Sequence, residues 1–350
     1  MVHKELIKII DVDKEKCVNC HVCINACPVK YCNDGSGDYV TVNKNLCIAC
    51  GNCLTACTHN ARYYIDDFNA FINDLNKGEK IALIVAPSVA ASFPGKFLNL
   101  NGWFKSIGVD AIFDVSFGAE LTVPSYINHI KKNNPQTVIA QPCAAIVTYI
   151  EIFRPELLGY LAPADSPMLH TVKMIKTFYE KFKNHKIAVI SPCLAKKREF
   201  EETGLGDYNV SYKSIEAYLT QNKISLNKFD KVDYDNPPAE RAVLFSTPGG
   251  LMQTAERWIP EIRYKTRKIE GVHTIYDYLD NLPKMILERK SPLLVDCLNC
   301  EKGCNGGPLT LAKDKPVDEI EYYVSKRNED MLQHYSDIAK NENKDHNKLL

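Results

Sequence analysis

Cys17, Cys20, Cys23 and Cys27 stand in the pattern C-x2-C-x2-C-x3-C with Pro28 behind them, and Cys47, Cys50, Cys53 and Cys57 repeat it thirty residues later. Runs of this spacing ligate two [4Fe–4S] clusters, the fourth cysteine of each run crossing to the other cluster, and such clusters carry single electrons. The eight therefore sort into Cys17, Cys20, Cys23 and Cys57 for one cluster and Cys47, Cys50, Cys53 and Cys27 for the other. The proline turns the chain away after the first run; Thr58 in its place after the second weakens that turn and leaves the ligand count intact. Two structural zinc sites are the competing reading, disfavoured because zinc modules separate their cysteine pairs by roughly a dozen residues or more. Cys32 lies outside both runs and reads as a spare thiol. His21 and His59, beside complete cysteine sets, read as neighbours of the clusters or surface residues.

Five further cysteines lie far down the chain: Cys143 in AQPCAA, Cys193 in ISPCLAKKREF, and Cys297, Cys300 and Cys304 in VDCLNCEKGCNGGP. Three thiolates leave a four-coordinate site one short, so the elements around them decide what can join. Short apolar runs alternate with helical patterns: IALIVA (81–86), VDAIFDV (109–115), TVIAQ (137–141), KIAVIS (186–191), AVLFS (242–246) and LLVD (293–296). Strands separated by helices indicate α/β units with largely parallel sheets. Several of these strands run directly into a cysteine motif, and ligands of open α/β sheets gather outside the carboxyl ends of strands. Cys143, Cys193 and the 297–304 group can converge there; the plain alternative for Cys143 and Cys193 is a buried apolar thiol.

The 350 residues are 45% hydrophobic and 25% charged, which suits one large domain and a small one. Lysine plus arginine (43) balance aspartate plus glutamate (43), leaving no basic field for nucleic acid or an anionic membrane. The N-terminal stretch has no long apolar segment with a small-residue cleavage site, and no run reaches about eighteen apolar residues, so a cytoplasmic protein is expected. In a reducing compartment fourteen cysteines point to metal and redox centres rather than disulfides. Residues 1–78 read as an α+β module around the cysteine runs, with DYVTVN (38–43) as a short strand and a helix near 66–77. Residues 79–312 read as the α/β domain, and 313–350 as an amphipathic helix, with Ile320, Val324, Met331, Leu332, Tyr335 and Ile338 on its apolar side, followed by a frayed tail. The glycines of STPGGLMQT (246–254) lack the spacing of a dinucleotide loop, so lining the larger domain is the better role for it.

At these residues the sequence resembles the [FeFe]-hydrogenases, from Cys17 to about Pro308. The resemblance implies a ferredoxin-like N-terminal domain with two [4Fe–4S] clusters, then a two-lobed α/β domain holding an H-cluster: a [4Fe–4S] cubane joined through one thiolate to a diiron subsite with CO, cyanide and a bridging dithiolate. It implies that Cys143, Cys193, Cys300 and Cys304 hold the cubane and that Cys304 is the shared thiolate. It also places Ala86, Pro87 and Ser88 beside one cyanide, Lys196 at the other, and FGAELT (117–122) ahead of a helix that carries proton-relay groups in the enzymes. A cation facing an anionic ligand in a dry pocket stabilises it and fixes its orientation. Without the Pro-Cys context, Lys196 would read as a solvated helix lysine.

The departures carry as much as the matches. Where the catalytic enzymes have a relay cysteine before the first cubane ligand, this chain has Pro142, which has neither a titratable group nor an amide hydrogen. The relay glutamates align with Tyr126, a poor carrier at neutral pH, and His129, a usable one. Ser191-Pro192 and Leu298 stand where methionines pack near the diiron site, changes that alter its shielding and potential. Cys297 is left over, either a buried thiol at a strand end or a substitute proton or redox group. The pattern resembles the sensory groups of the family. The resulting expectation is a protein that binds H2 and converts it slowly and reversibly to protons and electrons, with electrons passing through the ferredoxin clusters to a ferredoxin-type or other redox partner and a signal passing to a separate protein. A catalytic member with another relay, through His129 or Cys297, an iron–sulfur assembly or scaffold protein without the diiron subsite, and a plain ferredoxin-type carrier remain as alternatives.

Overall fold

The computed structural model describes residues 5–346, with side chains to residue 338. The N-terminal part runs β1 (Ile10–Val12), α1 (Val22–Asn25), β2 (Asn33–Asp34), β3 (Thr41–Val42), α2 (Asn52–Ala56) and β4 (Arg62–Tyr64). β1 pairs antiparallel with β4, and β2 with β3. Each half is thus a cysteine loop followed by a one-turn helix, which is how a repeated motif becomes a pseudo-symmetric α+β fold. The strand expected in DYVTVN is confined to Thr41–Val42.

After α3 (Phe68–Asn76) the chain passes through β5 (Ile81–Val85), α4 (Val89–Ser92), α5 (Phe97–Ser106), β6 (Ala111–Asp114) and α6 (Val115–Asn133). It continues with β7 (Val138–Ile139), α7 (Ala144–Phe153), α8 (Pro167–Phe178), β8 (Lys186–Ser191), α9 (Lys196–Thr203), β9 (Tyr208–Ser211) and α10 (Tyr212–Gln221). The last elements are α11 (Gly250–Ala255), β10 (Thr266–Glu270), α12 (Val272–Leu287), β11 (Leu294–Leu298) and α13 (Val317–His346).

The strands form two parallel sheets, β6-β5-β8-β9 in a first lobe and β10-β11-β7 in a second. The first is buried on both faces, so β5 is apolar at every position. Its alternate residues serve different layers: Ile81, Leu83 and Val85 pack with Phe71, Leu100 and Phe104, while Ala82 and Ile84 pack with Val172 and Ile175. A third core, with Ile48, Ala49, Leu194, Ala195 and Leu309, runs from the cysteine loops into the second lobe.

AVLFS is not a strand. Residues Ala242–Ser246 form a 3-10 turn, with the backbone N–H groups of Arg241 and Ala242 donating to Glu120 Oε1 at 2.6 and 2.9 Å. A short buried apolar run looks the same in a strand and in a helical turn, and here the capping carboxylate comes from α6, outside the reach of local pattern. Gly118 explains why α6 and α8 approach so closely: a Cβ there would lie 2.0 Å from Thr171 Oγ1 and 2.3 Å from the Pro167 carbonyl.

Several contacts join the N-terminal module to the lobes, among them these. The Asp66 and Asp67 carboxylates accept from the backbone N–H groups of Ser211 and Asn209 at 2.9 and 3.0 Å, and Asp67 also pairs with Lys197. Gly51, at φ +80°, faces Pro308 so closely that a Cβ would meet the ring at 2.5 Å.

α13 buries Ile320 and Val324 against Ala239, Val243 and Ala312, while Leu332, Tyr335 and Ile338 are exposed. The helix continues to His346 where fraying was expected, a stretch free of proline and glycine; the final part of the expected tail lies outside the described residues. Between its buried leucine-like stripe and its exposed end sits Arg327, fully buried, 2.7 Å from the Asp114 carboxylate, with its Nη1 donating to the Pro87 carbonyl at 2.9 Å.

Candidate metal centres

The eight N-terminal cysteines surround two separate pockets. Cys17, Cys20, Cys23 and Cys57 line one; Cys27, Cys47, Cys50 and Cys53 line the other, together with Cys32. These are the sets that spacing had assigned, with Cys27 and Cys57 each crossing to the opposite pocket because α1 and α2 pack side by side. Cys32 is not a detached thiol: it is buried at the second pocket, where it hydrogen-bonds with Cys27 and Cys47. His21 and His59 border the first pocket from its exposed side.

Among the described residues no group of three or more His, Cys, Asp or Glu side chains is gathered tightly enough for a single ion. Thiols set around a pocket suit a body of several metal atoms. The donors aimed at their sulfurs support this: Val40 N to Cys17 at 3.5 Å, Ala49 N to Cys47 at 3.4 Å, and Arg62 Nη2 to Cys23 at 2.9 Å. N–H groups directed at sulfur favour the thiolate, the form that binds metal. Hydrogen bonding from Cys32 is the main cause that brings Cys47 down to about 7, whereas burial pushes Cys53 up to about 12.

The third site is a cavity at the carboxyl ends of β5, β7, β8 and β11, between the two lobes. Cys143, Cys193, Cys300 and Cys304 all line it, as do Pro87, Ser88, Pro142, Lys196 and Leu298. Parallel strands deliver each motif to the same side, since every one follows a strand at its carboxyl end. Apart from the thiols, its polar side chains are Ser88, Lys196, Ser246 and Asn299; Ser246 opens the STPGGLMQT stretch, and Asn299 sits between Cys297 and Cys300 without being singled out by the sequence. Asn299 Nδ2 donates to Cys300 Sγ at 3.3 Å. Burial raises Cys193 to about 11 and Cys304 to about 12, and Cys300 well above the usual thiol range. Thiols held protonated by burial in an apolar cavity are poor partners for one another, and metal is what would deprotonate them. Ala49 and Cys50 share this wall, so the second ferredoxin pocket abuts the cavity and the first is the outer one.

Pro87 and Ser88 are fixed from behind. Ser88 Oγ lies 3.0 Å from Tyr212 Oη, which itself donates to the Ala86 carbonyl at 3.0 Å. Lys196 is buried and paired with Glu199 at 2.5 Å. Ser191 does not reach the cavity lining: its hydroxyl donates to Asn209 Oδ1 at 3.3 Å and accepts from the Cys193 N–H at 3.3 Å. His129 lies away from the cavity lining, its Nδ1 bonded to Asn133 Nδ2 at 2.9 Å. Tyr126 is buried with its hydroxyl accepting from Gln141 N at 3.0 Å. Cys297 is buried too, off the cavity lining, with its thiol 3.5 Å from the Ala140 carbonyl.

Beside Cys297, Asp296 is buried and accepts from the Met252 N–H at 3.0 Å. Burial is the main cause that holds its carboxyl up at about 6. The unfolded chain gives up this proton near the usual value of about 4. Between about pH 4 and 6 the folded state therefore binds more protons, and stability falls as pH rises through that window. Two pH units at about 1.4 kcal/mol each put the loss at roughly 3 kcal/mol. Asp296→Asn, which keeps an acceptor for Met252, is expected to remove that slope and raise the urea midpoint at pH 7; a pH dependence identical to the parent's would count against this.

The family described as "Iron only hydrogenase large subunit, C-terminal domain" matches residues 79–308, and "4Fe-4S binding domain" matches 10–30 and 40–63. Iron hydrogenase 1 of Clostridium pasteurianum is 27% identical over 91% of this chain and 67% of its own length. Nuclear prelamin A recognition factor of Mus musculus is 26% identical over 43% of this chain and 38% of its own. The chain thus spans about two thirds of the first relative and under two fifths of the second. An apo [FeFe]-hydrogenase from Chlamydomonas reinhardtii superposes with a TM-score of 0.57 at 14% identity, covering 74% of this chain and 88% of that one. Among the described residues no helix is long and apolar enough to cross a membrane.

Proposed function

Because the chain belongs to the iron-only hydrogenase large subunit family, with two [4Fe–4S] clusters and an H-cluster as its cofactors, we propose that it is a slow, sensory [FeFe]-hydrogenase. In this reading it takes H2 reversibly to protons and electrons in the cytoplasm and reports its redox state to a separate signalling protein. Residues 1–78 are the electron-transfer module, 79–312 the H-cluster domain, and 313–350 the covering helix and tail. When bound, the H-cluster supplies the iron that takes up H2 and the redox capacity to split it.

The chain's residues do the rest. Cys143, Cys193, Cys300 and Cys304 anchor the group in a nearly apolar cavity that excludes water. Pro87, Ser88 and Lys196 orient its anionic ligands, with Tyr212 and Glu199 holding Ser88 and Lys196 in place. The wall that Ala49 and Cys50 share with the cavity gives electrons a direct exit into the inner and then the outer ferredoxin cluster, and from there to a ferredoxin-type partner.

The observation that carries the slow, sensory reading is Pro142 on the cavity wall. Lys196 is the sole non-thiol titratable side chain among the lining residues, and Glu199 engages it. With His129 and Cys297 off the lining, protons have no carrier at the place where the enzymes of the family keep one. After anaerobic maturation, infrared spectra under argon are expected to contain CO and cyanide bands that shift under H2, with turnover far below that of catalytic relatives. Turnover equal to theirs would sink the sensory reading. A spectrum without those bands would favour a scaffold-type iron–sulfur protein.

A further inference from the structure

Arg62 and Arg198 are buried cations that the reaction in the cavity does not use. Arg62, on β4, is 7% exposed; its Nη2 donates to Cys23 Sγ at 2.9 Å, and its Nη1, fully buried, has no hydrogen-bond partner. Arg198, on α9, is 2% exposed; its Nη1 donates to the Cys47 carbonyl at 2.7 Å, while Nε and Nη2 are buried without hydrogen-bond partners. Leaving guanidinium N–H groups unsatisfied in the interior is costly. Arg62 lines the outer pocket, and Arg198 is held by the backbone carbonyl of Cys47, a cysteine of the inner set, with the Glu202 and Glu151 carboxylates also acting on it.

We propose that Arg62 and Arg198 are the built-in counter-cations of the outer and inner [4Fe–4S] clusters and make both easier to reduce. A cluster held by four thiolates is anionic, and one-electron reduction adds a further negative charge without any proton. A guanidinium a few ångströms away in a low-dielectric interior lowers the cost of that electron, and N–H donors to the ligand sulfurs act in the same direction. Arginine stays protonated throughout, so the effect is independent of pH in the working range. Arg62 also acts on Cys53 and Cys47 of the inner set, and Arg198 acts on Cys47. Electrons leaving the cavity are thereby retained on the ferredoxin clusters, the state a reader of H2 needs; the inference itself does not depend on the sensory reading.

The test is a redox titration followed by electron paramagnetic resonance on the full chain with reconstituted clusters, alongside iron content. Arg62→Gln is expected to shift both ferredoxin steps to lower potential, the outer more, and Arg198→Gln the inner step alone. At fixed potential the oxidised-to-reduced ratio of the affected cluster should rise about tenfold, equivalent to about 59 mV for one electron. Arg62→Lys and Arg198→Lys keep the charge and should stay near the parent. Unmoved potentials at full iron content overturn the proposal, as do lysine variants that shift as far as the glutamines. Where a glutamine variant loses iron, retention in the lysine variant supports the counter-cation role, and equal loss in both overturns it.

Discussion

H2 evolution by Pro142→Cys is expected to rise about 100-fold over the parent, with iron content and infrared bands unchanged. A positioned general acid or base contributes about 10²–10⁴ in rate, and the lower end is the fitting figure because only the first carrier is restored. Pro142 lines the cavity next to Cys143, so a thiol there stands beside the group on which protons are made and consumed. Behind it, the Gln141 backbone reaches the buried Tyr126 hydroxyl, whose affinity for its proton burial raises well beyond the usual phenol range. That second step stays slow, which caps the gain. Pro142→Ala removes the ring without adding a proton carrier and is expected to stay at the parent rate. Equal gains in the two variants would mean that loosening of the backbone, and not a proton relay, limits the parent.

Arg327→Met is expected to lower unfolding stability by about 3–5 kcal/mol, the usual result of breaking a buried ion pair on one side. Its partner Asp114 is fully buried, accepts from the Ser116 N–H at 2.9 Å at the start of α6, and would keep a charge that no solvent reaches. The same guanidinium packs over the rings of Phe97 and Tyr234 and holds the Pro87 carbonyl, so the loop at the cavity loosens with the helix. Urea denaturation measures the loss. In the pair Arg327→Met with Asp114→Asn no buried charge is left, and most of the stability should return; a double variant as weak as the single one would show that packing, not charge, carries the effect.

The grouping of the eight N-terminal cysteines was legible because their relation is local: a fixed spacing places three thiols on one loop, and the repeat places the fourth. The first-lobe strands were legible for a related reason, since a sheet covered on both faces leaves continuous apolar runs. AVLFS carried the same signal and misled, because its conformation depends on Glu120, more than a hundred residues away. β10, with Arg267, Lys268 and Glu270 at its surface, offered no apolar run at all and was missed. Cys32 carried no spacing signal, and only the fold brings it to the inner pocket. Arg62 and Arg198 carry no spacing signal, and only their burial in the folded chain singles them out. Pro142 had its meaning from the family pattern, yet the positions of His129 and Cys297 off the cavity lining could come only from the folded chain.

Three successive residues of α9 face three different duties: Lys196 turns to the cavity, Lys197 to Asp67, and Arg198 to the Cys47 carbonyl. With Cys193 just ahead of them, a six-residue run fixes one cavity cysteine against the second cysteine pocket, and Gly51 against Pro308 locks the other side. The N-terminal module is therefore not an interchangeable cassette. A ferredoxin from elsewhere joined to this chain would have to bring a carboxylate to Lys197, place a cysteine carbonyl at Arg198 and set a glycine against Pro308, so the two parts are best engineered as one unit.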